Sequence, residues 1–191
     1  MINVAIFISG KGSNAQNIMQ YFHLNSQINV KLLISNNQKS KLFNNIESTI
    51  LCKNFQKKDF LDGELILREL QKNKIKYIIL AGFLLKISSI IIKHFSQKII
   101  NIHPSLLPDF GGKGMYGMHV HNAVFNKKKQ ETGITIHEVN QDYDKGRIIF
   151  QAKCNISKYD NPKHIQKKVQ ILEHKFYPII IEKFITSKNA N

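Results

Sequence analysis

Apolar residues along this chain gather into short, nearly unbroken runs, with stretches of helical spacing between them. The runs predict strands over Ile2–Ile8, Val30–Ser35, Thr49–Leu51, Tyr77–Leu80, Ile99–Ile102, Gly133–Val139 and Ile148–Lys153. Several do not alternate with polar residues, which suits central strands covered on both faces. Helical spacing falls over Ser13–Phe22, Ser40–Glu47, Lys58–Asn73, Ile87–His94 and Met118–Phe125. Strand and helix in turn imply an α/β fold with a mostly parallel central sheet flanked by helices in three layers. A last helix opens at Asp160 or Asn161 as N-cap, takes Pro162 in its first turn and runs toward Phe184. Pro178 lies inside that pattern and is expected to kink or divide it, because proline lacks the amide hydrogen and crowds the preceding turn.

Composition narrows the class. A chain of 191 residues suits a single domain over 1–191. The longest apolar stretch, Tyr77 to Leu85, stops at Lys86, well short of the roughly 20 residues a membrane-spanning helix needs. The run Val4 to Ile8 has neither a basic segment before it nor a small-residue cleavage site after it, so it reads as a strand and not a leader. Cys52 and Cys154, far apart, suggest neither a disulfide framework nor a zinc site. The expectation is a cytoplasmic protein without a membrane partner, a monomer or weak homodimer. A formal charge of +15 raises the question of nucleic acid, yet Arg68 and Arg147 are the only arginines. Lysine lacks the rigid fork that grips phosphates and guanine edges. Lysine clusters such as Lys127-Lys128-Lys129 fall on turns and helix faces, so no nucleic-acid partner is expected. The basic field still draws in small anions.

Candidate chemistry begins directly after the first strand, at Ser9-Gly10-Lys11-Gly12-Ser13-Asn14-Ala15. Two glycines permit backbone geometry that side chains forbid, and the loop opens a helix whose free N–H groups attract a phosphate. Gly10, Gly12 and Ala15 also fit a dinucleotide fingerprint, but that reading needs an acid at the end of the second strand, where Ser35-Asn36-Asn37 stands. A single phosphate is the better reading, with a plain tight turn as the alternative.

The second constellation is Asn101-Ile102-His103-Pro104-Ser105-Leu106-Leu107-Pro108, at the carboxyl end of a buried strand, where open α/β sheets place ligands. In extended backbone Asn101 and His103 project together while Ile102 packs inward, and Pro104 favours that conformation at His103. A structural histidine is the alternative. His119 and His121 lack a Cys or carboxylate at ligand spacing, so no metal is expected.

These motifs, with Ala81-Gly82-Phe83, Gly133-x-Thr135-Ile136-His137, Asp144 followed by Gly146, Gln151-Ala152 and Val169-Gln170-x-x-Glu173-His174, are where the chain closely resembles the glycinamide ribonucleotide formyltransferases of purine biosynthesis, over nearly its whole length. The resemblance implies a Rossmann-like formyltransferase fold. It also implies transfer of a formyl group from the co-substrate 10-formyltetrahydrofolate to the amine of 5'-phosphoribosylglycinamide, with small molecules as partners. By the same resemblance Asn101, His103 and Asp144 are catalytic, with His137 in support. Gly12, Ser13 and Asn14 hold the ribosyl phosphate, and Glu173 contacts the glycinamide part. Leu84, Leu85, Lys86, Ile87, Asn101, Val139 and Asp144 meet the folate, and the loop from Val139 to Asp144 closes on the pterin. A phosphate-binding half over about 1–100 would precede a folate and catalytic half over about 101–186. The chemistry suits these roles: as the amine attacks, His103 as an imidazolium and the Asn101 amide stabilise the oxyanion, while Asp144 favours the charged ring and assists proton transfer.

The chain departs from the family pattern at Asp109 to Met118, whose four glycines suggest a mobile lid. It departs also at Leu85 and Gly63, where basic residues often stand, and at Lys145, which replaces a glycine. Methionyl-tRNA formyltransferases and folate-dependent deformylases share the core motif but carry further domains that are not expected here.

Overall fold

The structure, a computed structural model, describes residues 1–38, 42, 43, 46 and 48–189. Seven strands form one sheet: β1 (Ile2–Ile8), β2 (Ile28–Ser35), β3 (Leu51–Asn54), β4 (Tyr77–Leu80), β5 (Ile99–His103), β6 (Glu131–Glu138) and β7 (Ile148–Asn155). Their order is β3-β2-β1-β4-β5-β6-β7, parallel from β3 through β5 and antiparallel at the last two pairings. The strand order reverses between β1 and β4, so the loops leaving those two strands open a crevice at their carboxyl ends, and Ser9 N–H donates to the Gly82 carbonyl across it at 3.2 Å.

Successive residues of each strand pack into different layers. Val4, Ile6 and Ile8 meet α1 (Ser13–Phe22), α5 (Met118–Asn126) and α6 (Pro162–Asn189); Ala5 and Phe7 meet α2 (Lys57–Asp62), α3 (Glu64–Lys72) and α4 (Ser89–His94). Both faces of the central strands are therefore covered, which is why their sequences run apolar without alternation.

Three expectations change. The helix expected over Lys58–Asn73 is two helices, broken at Gly63, whose φ of 89° is left-handed and caps the first while opening the second. The short strand expected over Thr49–Leu51 begins at Leu51 and runs to Asn54. The last helix is not divided at Pro178 but continues from Pro162 to Asn189. Proline there deprives the His174 carbonyl of its helical partner, and the Asn17 side chain of α1 donates to that oxygen at 2.7 Å. The helix expected over Ser40–Glu47 lies largely outside the described residues. Among the described residues no helix is long and apolar enough to cross a membrane.

Candidate active site

The arrangement of the site follows from the register of β5 on β6. Asn101 pairs with His137, and His103 with Thr135, while Ile102 and Ile136 between them enter the core. Directly opposed residues share a face. Asn101 Nδ2 thus lies 3.0 Å from His137 Nε2. On the other side of that ring, Nδ1–H donates to the Glu138 carbonyl at 2.8 Å, so the Nε2 edge is the one that faces both Asn101 and Asp144.

His103 is 3% exposed, and its Nε2–H donates to the Phe110 carbonyl at 2.8 Å. Its Nδ1 is thereby turned toward Asp144, 3.5 Å from Oδ2. The other carboxylate oxygen, Oδ1, lies 3.6 Å from His137 Nε2. Asp144 sits in the loop between β6 and β7 with φ at 56°, a left-handed conformation that aspartate tolerates better than most residues. The Gly112 N–H holds it there, donating to Oδ2 at 2.8 Å. Within the glycine-rich segment from Asp109 to Met118, Phe110 and Gly112 lend backbone groups to the site.

Burial works to raise the Asp144 carboxyl, but His137, His103 and the Gly112 N–H together carry it below the usual carboxylate range. His103 moves down as well. Burial disfavours its charged form and outweighs the pull of Asp144 in the expected direction, so the ring is not held charged in the free site. Burial, and then the competition of His103 for a proton, lower the His121 imidazole to about 4.

Beneath these groups a brace fixes the turn after β5. Thr135 Oγ1 donates to the Ser105 carbonyl at 2.7 Å and accepts from Leu107 N–H and Gln151 Nε2, each at 2.9 Å.

A small cavity of about 70 Å³ opens beside this group. Its apolar wall includes Leu80, Phe83, Leu85 and Ile87, and its far wall is the segment from Val139 to Asp144; Asn101 and His137 form the floor. Lys86 stands at the rim, with its ammonium 6.0 Å from the Tyr143 ring centre. Of the folate residues expected from sequence, Leu85, Lys86, Ile87, Asn101, Val139 and Asp144 line the cavity and Leu84 does not. Leu84 is exposed, and its N–H donates instead to Ser9 Oγ at 2.9 Å. Gly63 is not among the residues that line the cavity. A Cβ there would fall 2.0 Å from Ser88 Oγ, so the joint between α2 and α3 has no room for a basic side chain.

The glycine turn ends at Gly12, with φ at 76°, and no side chain caps α1. The first-turn N–H groups therefore have no capping side chain. Gly10 is not left-handed, so only one of the two glycines serves that purpose. Asn14 Nδ2 donates to Glu173 Oε2 at 2.9 Å, and Gln170 Nε2 donates to Ser13 Oγ at 3.2 Å. One face of α6 is thus tied to the turn. Among the described residues Glu173 has no cationic partner, and burial raises its carboxyl despite the Asn14 hydrogen bond.

Sequence reasoning did not assign Gln170 to the site, although its spacing of three from Glu173 puts both on one helical face. Phe110 and Gly112 act through backbone atoms and left no side-chain signal. Among the described residues no group of three or more His, Cys, Asp or Glu is placed to hold a metal ion.

Residues 2–181 match the model of the formyl transferase family. The chain is 35% identical over 185 residues to the chloroplastic phosphoribosylglycinamide formyltransferase of Arabidopsis thaliana, with 93% of this chain and 63% of the relative covered. It thus spans less than two thirds of that plant protein. It is 30% identical to the phosphoribosylglycinamide formyltransferase of Escherichia coli K12, covering 96% of this chain and 87% of the other. The crystal structure of the enzyme of that name from Bacillus halodurans superposes with a TM-score of 0.86 at 30% identity, over 96% of this chain and 95% of the other. By sequence and by architecture, the chain belongs to the formyl transferase family.

Proposed function

We propose that this protein is a phosphoribosylglycinamide formyltransferase, passing the formyl group of 10-formyltetrahydrofolate to the amine of 5'-phosphoribosylglycinamide. The observation that carries the reading is the convergence of Asn101, His103, His137 and Asp144 at the end of β5, beside a cavity with one apolar wall. The apolar wall suits a flat pterin, with the segment from Val139 to Asp144 closing over it. The ribonucleotide lies along the crevice toward α1. Its phosphate meets the uncapped N-terminus at Gly12, Ser13 and Asn14, and Glu173 meets the glycinamide part. Residues up to about 100 supply the phosphate end and the apolar wall, and those from about 101 to 186 supply the transfer groups and Glu173.

In the reaction the amine nitrogen bonds to the formyl carbon, and the carbonyl electron pair moves onto oxygen. Asn101 offers an amide N–H to that oxyanion. His103, whose Nε2–H is committed to Phe110, becomes a second donor once Nδ1, which faces Asp144, takes up a proton as the charge develops. Asp144 assists loss of a proton from the attacking nitrogen. When the intermediate collapses, the bond from the formyl carbon to folate N10 breaks and N10 takes a proton. A donor fixed before the reaction, as the Asn101 amide is, stabilises the developing charge without reorganising.

The test mixes protein with formyl-folate, with and without the ribonucleotide, and follows formyl-folate absorbance and the formylated ribonucleotide product. Consumption that requires the ribonucleotide and yields one product per formyl group lost supports the reading. Equal consumption without the ribonucleotide defeats it in favour of hydrolysis.

A further inference from the structure

We propose that Glu138, with Arg147 and Lys188, is a positioning device that holds His137 and Asp144 in register with each other. The inference rests on the reading of that group as the transfer centre. Glu138 ends β6 and is 8% exposed. One of its oxygens, Oε1, accepts from both Arg147 Nη2 and Lys188 Nζ, each at 2.8 Å. A buried carboxylate needs such partners, because losing one leaves an uncompensated charge. Burial alone would raise this carboxyl, and the two cations carry it below the usual range instead.

The backbone of the same residue closes the loop that bears Asp144. Its carbonyl accepts from His137 Nδ1 at 2.8 Å, and its N–H donates to the Arg147 carbonyl at 2.9 Å. Gly146 lies so close to that carbonyl that a Cβ would fall 1.7 Å from its oxygen. The loop between Glu138 and Arg147 is thus stapled at its base by a backbone bond and an ion pair. Lys188 adds a second anchor: it also donates to the Gln97 carbonyl at 2.6 Å, tying the last turn of α6 to the approach to β5. None of these three side chains lines the cavity. Their effect therefore falls on the geometry of the reacting groups and not on substrate contact.

The Arg147 side chain is 66% exposed, so its removal leaves the core untouched, and Arg147→Ala is the first variant. The expected result is kcat lower by roughly threefold to tenfold with KM for both substrates within about twofold, since small misplacements cost rate more than binding. Arg147→Lys, which keeps a cation, restores most of the loss. Glu138→Ala loses at least as much, and Glu138→Ala with Arg147→Ala loses no more than Glu138→Ala alone, because the two act through one contact. The ring-nitrogen NMR signals of His137 shift in Arg147→Ala, a readout that does not depend on turnover. Unmoved His137 signals overturn the proposal, as does wild-type kcat in Arg147→Ala or a loss confined to KM. Wild-type protein that forms no formylated ribonucleotide, with the His137 signals moving as described, defeats the functional reading and leaves the positioning role standing.

Discussion

At the scale of single residues, the site depends on which atoms are already committed. Asn101 is braced by His137 at the cavity floor, and His103 by Phe110, which leaves its Nδ1 facing Asp144. Asn101→Ala is expected to lower kcat by about 10²–10³, or about 2.7–4 kcal/mol, the cost of one oxyanion donor, with an unchanged circular dichroism spectrum. Near-normal turnover would remove Asn101 from the reaction. His121 makes a separate prediction. Its Nδ1 is buried without a hydrogen-bond partner among the described residues, and burial lowers the ring to about 4 against 6.5 when exposed. Above pH 6.5 both folded and unfolded chains hold it neutral, and it has no effect on stability. As pH falls from there toward 4 the unfolded chain takes up a proton that the folded protein refuses, and stability declines by about 3 kcal/mol. Urea unfolding of His121→Phe across that range should lack this increment relative to wild type; parallel curves would show that the ring is not held neutral.

At the scale of elements, α6 does more than cover the sheet. The Tyr177 hydroxyl donates to the Leu80 carbonyl at 2.9 Å and lies 3.2 Å from the Ile100 carbonyl, bridging β4 and β5 just before they deliver the cavity wall and Asn101. Tyr177→Phe leaves those buried oxygens without that donor, and a loss of about 1–3 kcal/mol is expected in denaturant unfolding. Asn17→Ala is expected to weaken the same helix by a similar about 1–3 kcal/mol, because the His174 carbonyl freed by Pro178 loses its donor. An unchanged midpoint in either variant would show the carbonyl satisfied by water. This element also marks the limit of what the sequence discloses. The bounds of β1, α1 and β4 agree with the apolar runs residue for residue, because those runs are bounded by glycine and polar residues that stop a strand or open a helix. Pro178 does not divide the helix, since the carbonyl it frees, that of His174, is met by Asn17, 157 positions before it. Gly63 does break one: apolar spacing continues through it while the backbone turns left-handed.

At the scale of the whole molecule, the antiparallel return of β6 and β7 turns scattered motifs into one site. Sequence motifs alone, read through family resemblance, name Asn101, His103 and Asp144, but the neighbour of Asn101 is set by strand register, and the Phe110 and Gly112 contacts are made by backbone atoms common to every residue. Register and backbone direction belong to the assembled sheet and so leave no mark on residue identity. In the proposed reaction the side chains brought together there act as one unit. The most direct measurement is kcat for ribonucleotide-dependent formyl transfer by His103→Ala, Asp144→Asn and the double variant, beside wild type. Residues that act as a unit are strongly non-additive, so the double variant is predicted to be no slower than the slower single variant. A double variant slowed by the full product of the two single effects, or single variants that keep wild-type kcat, would contradict it.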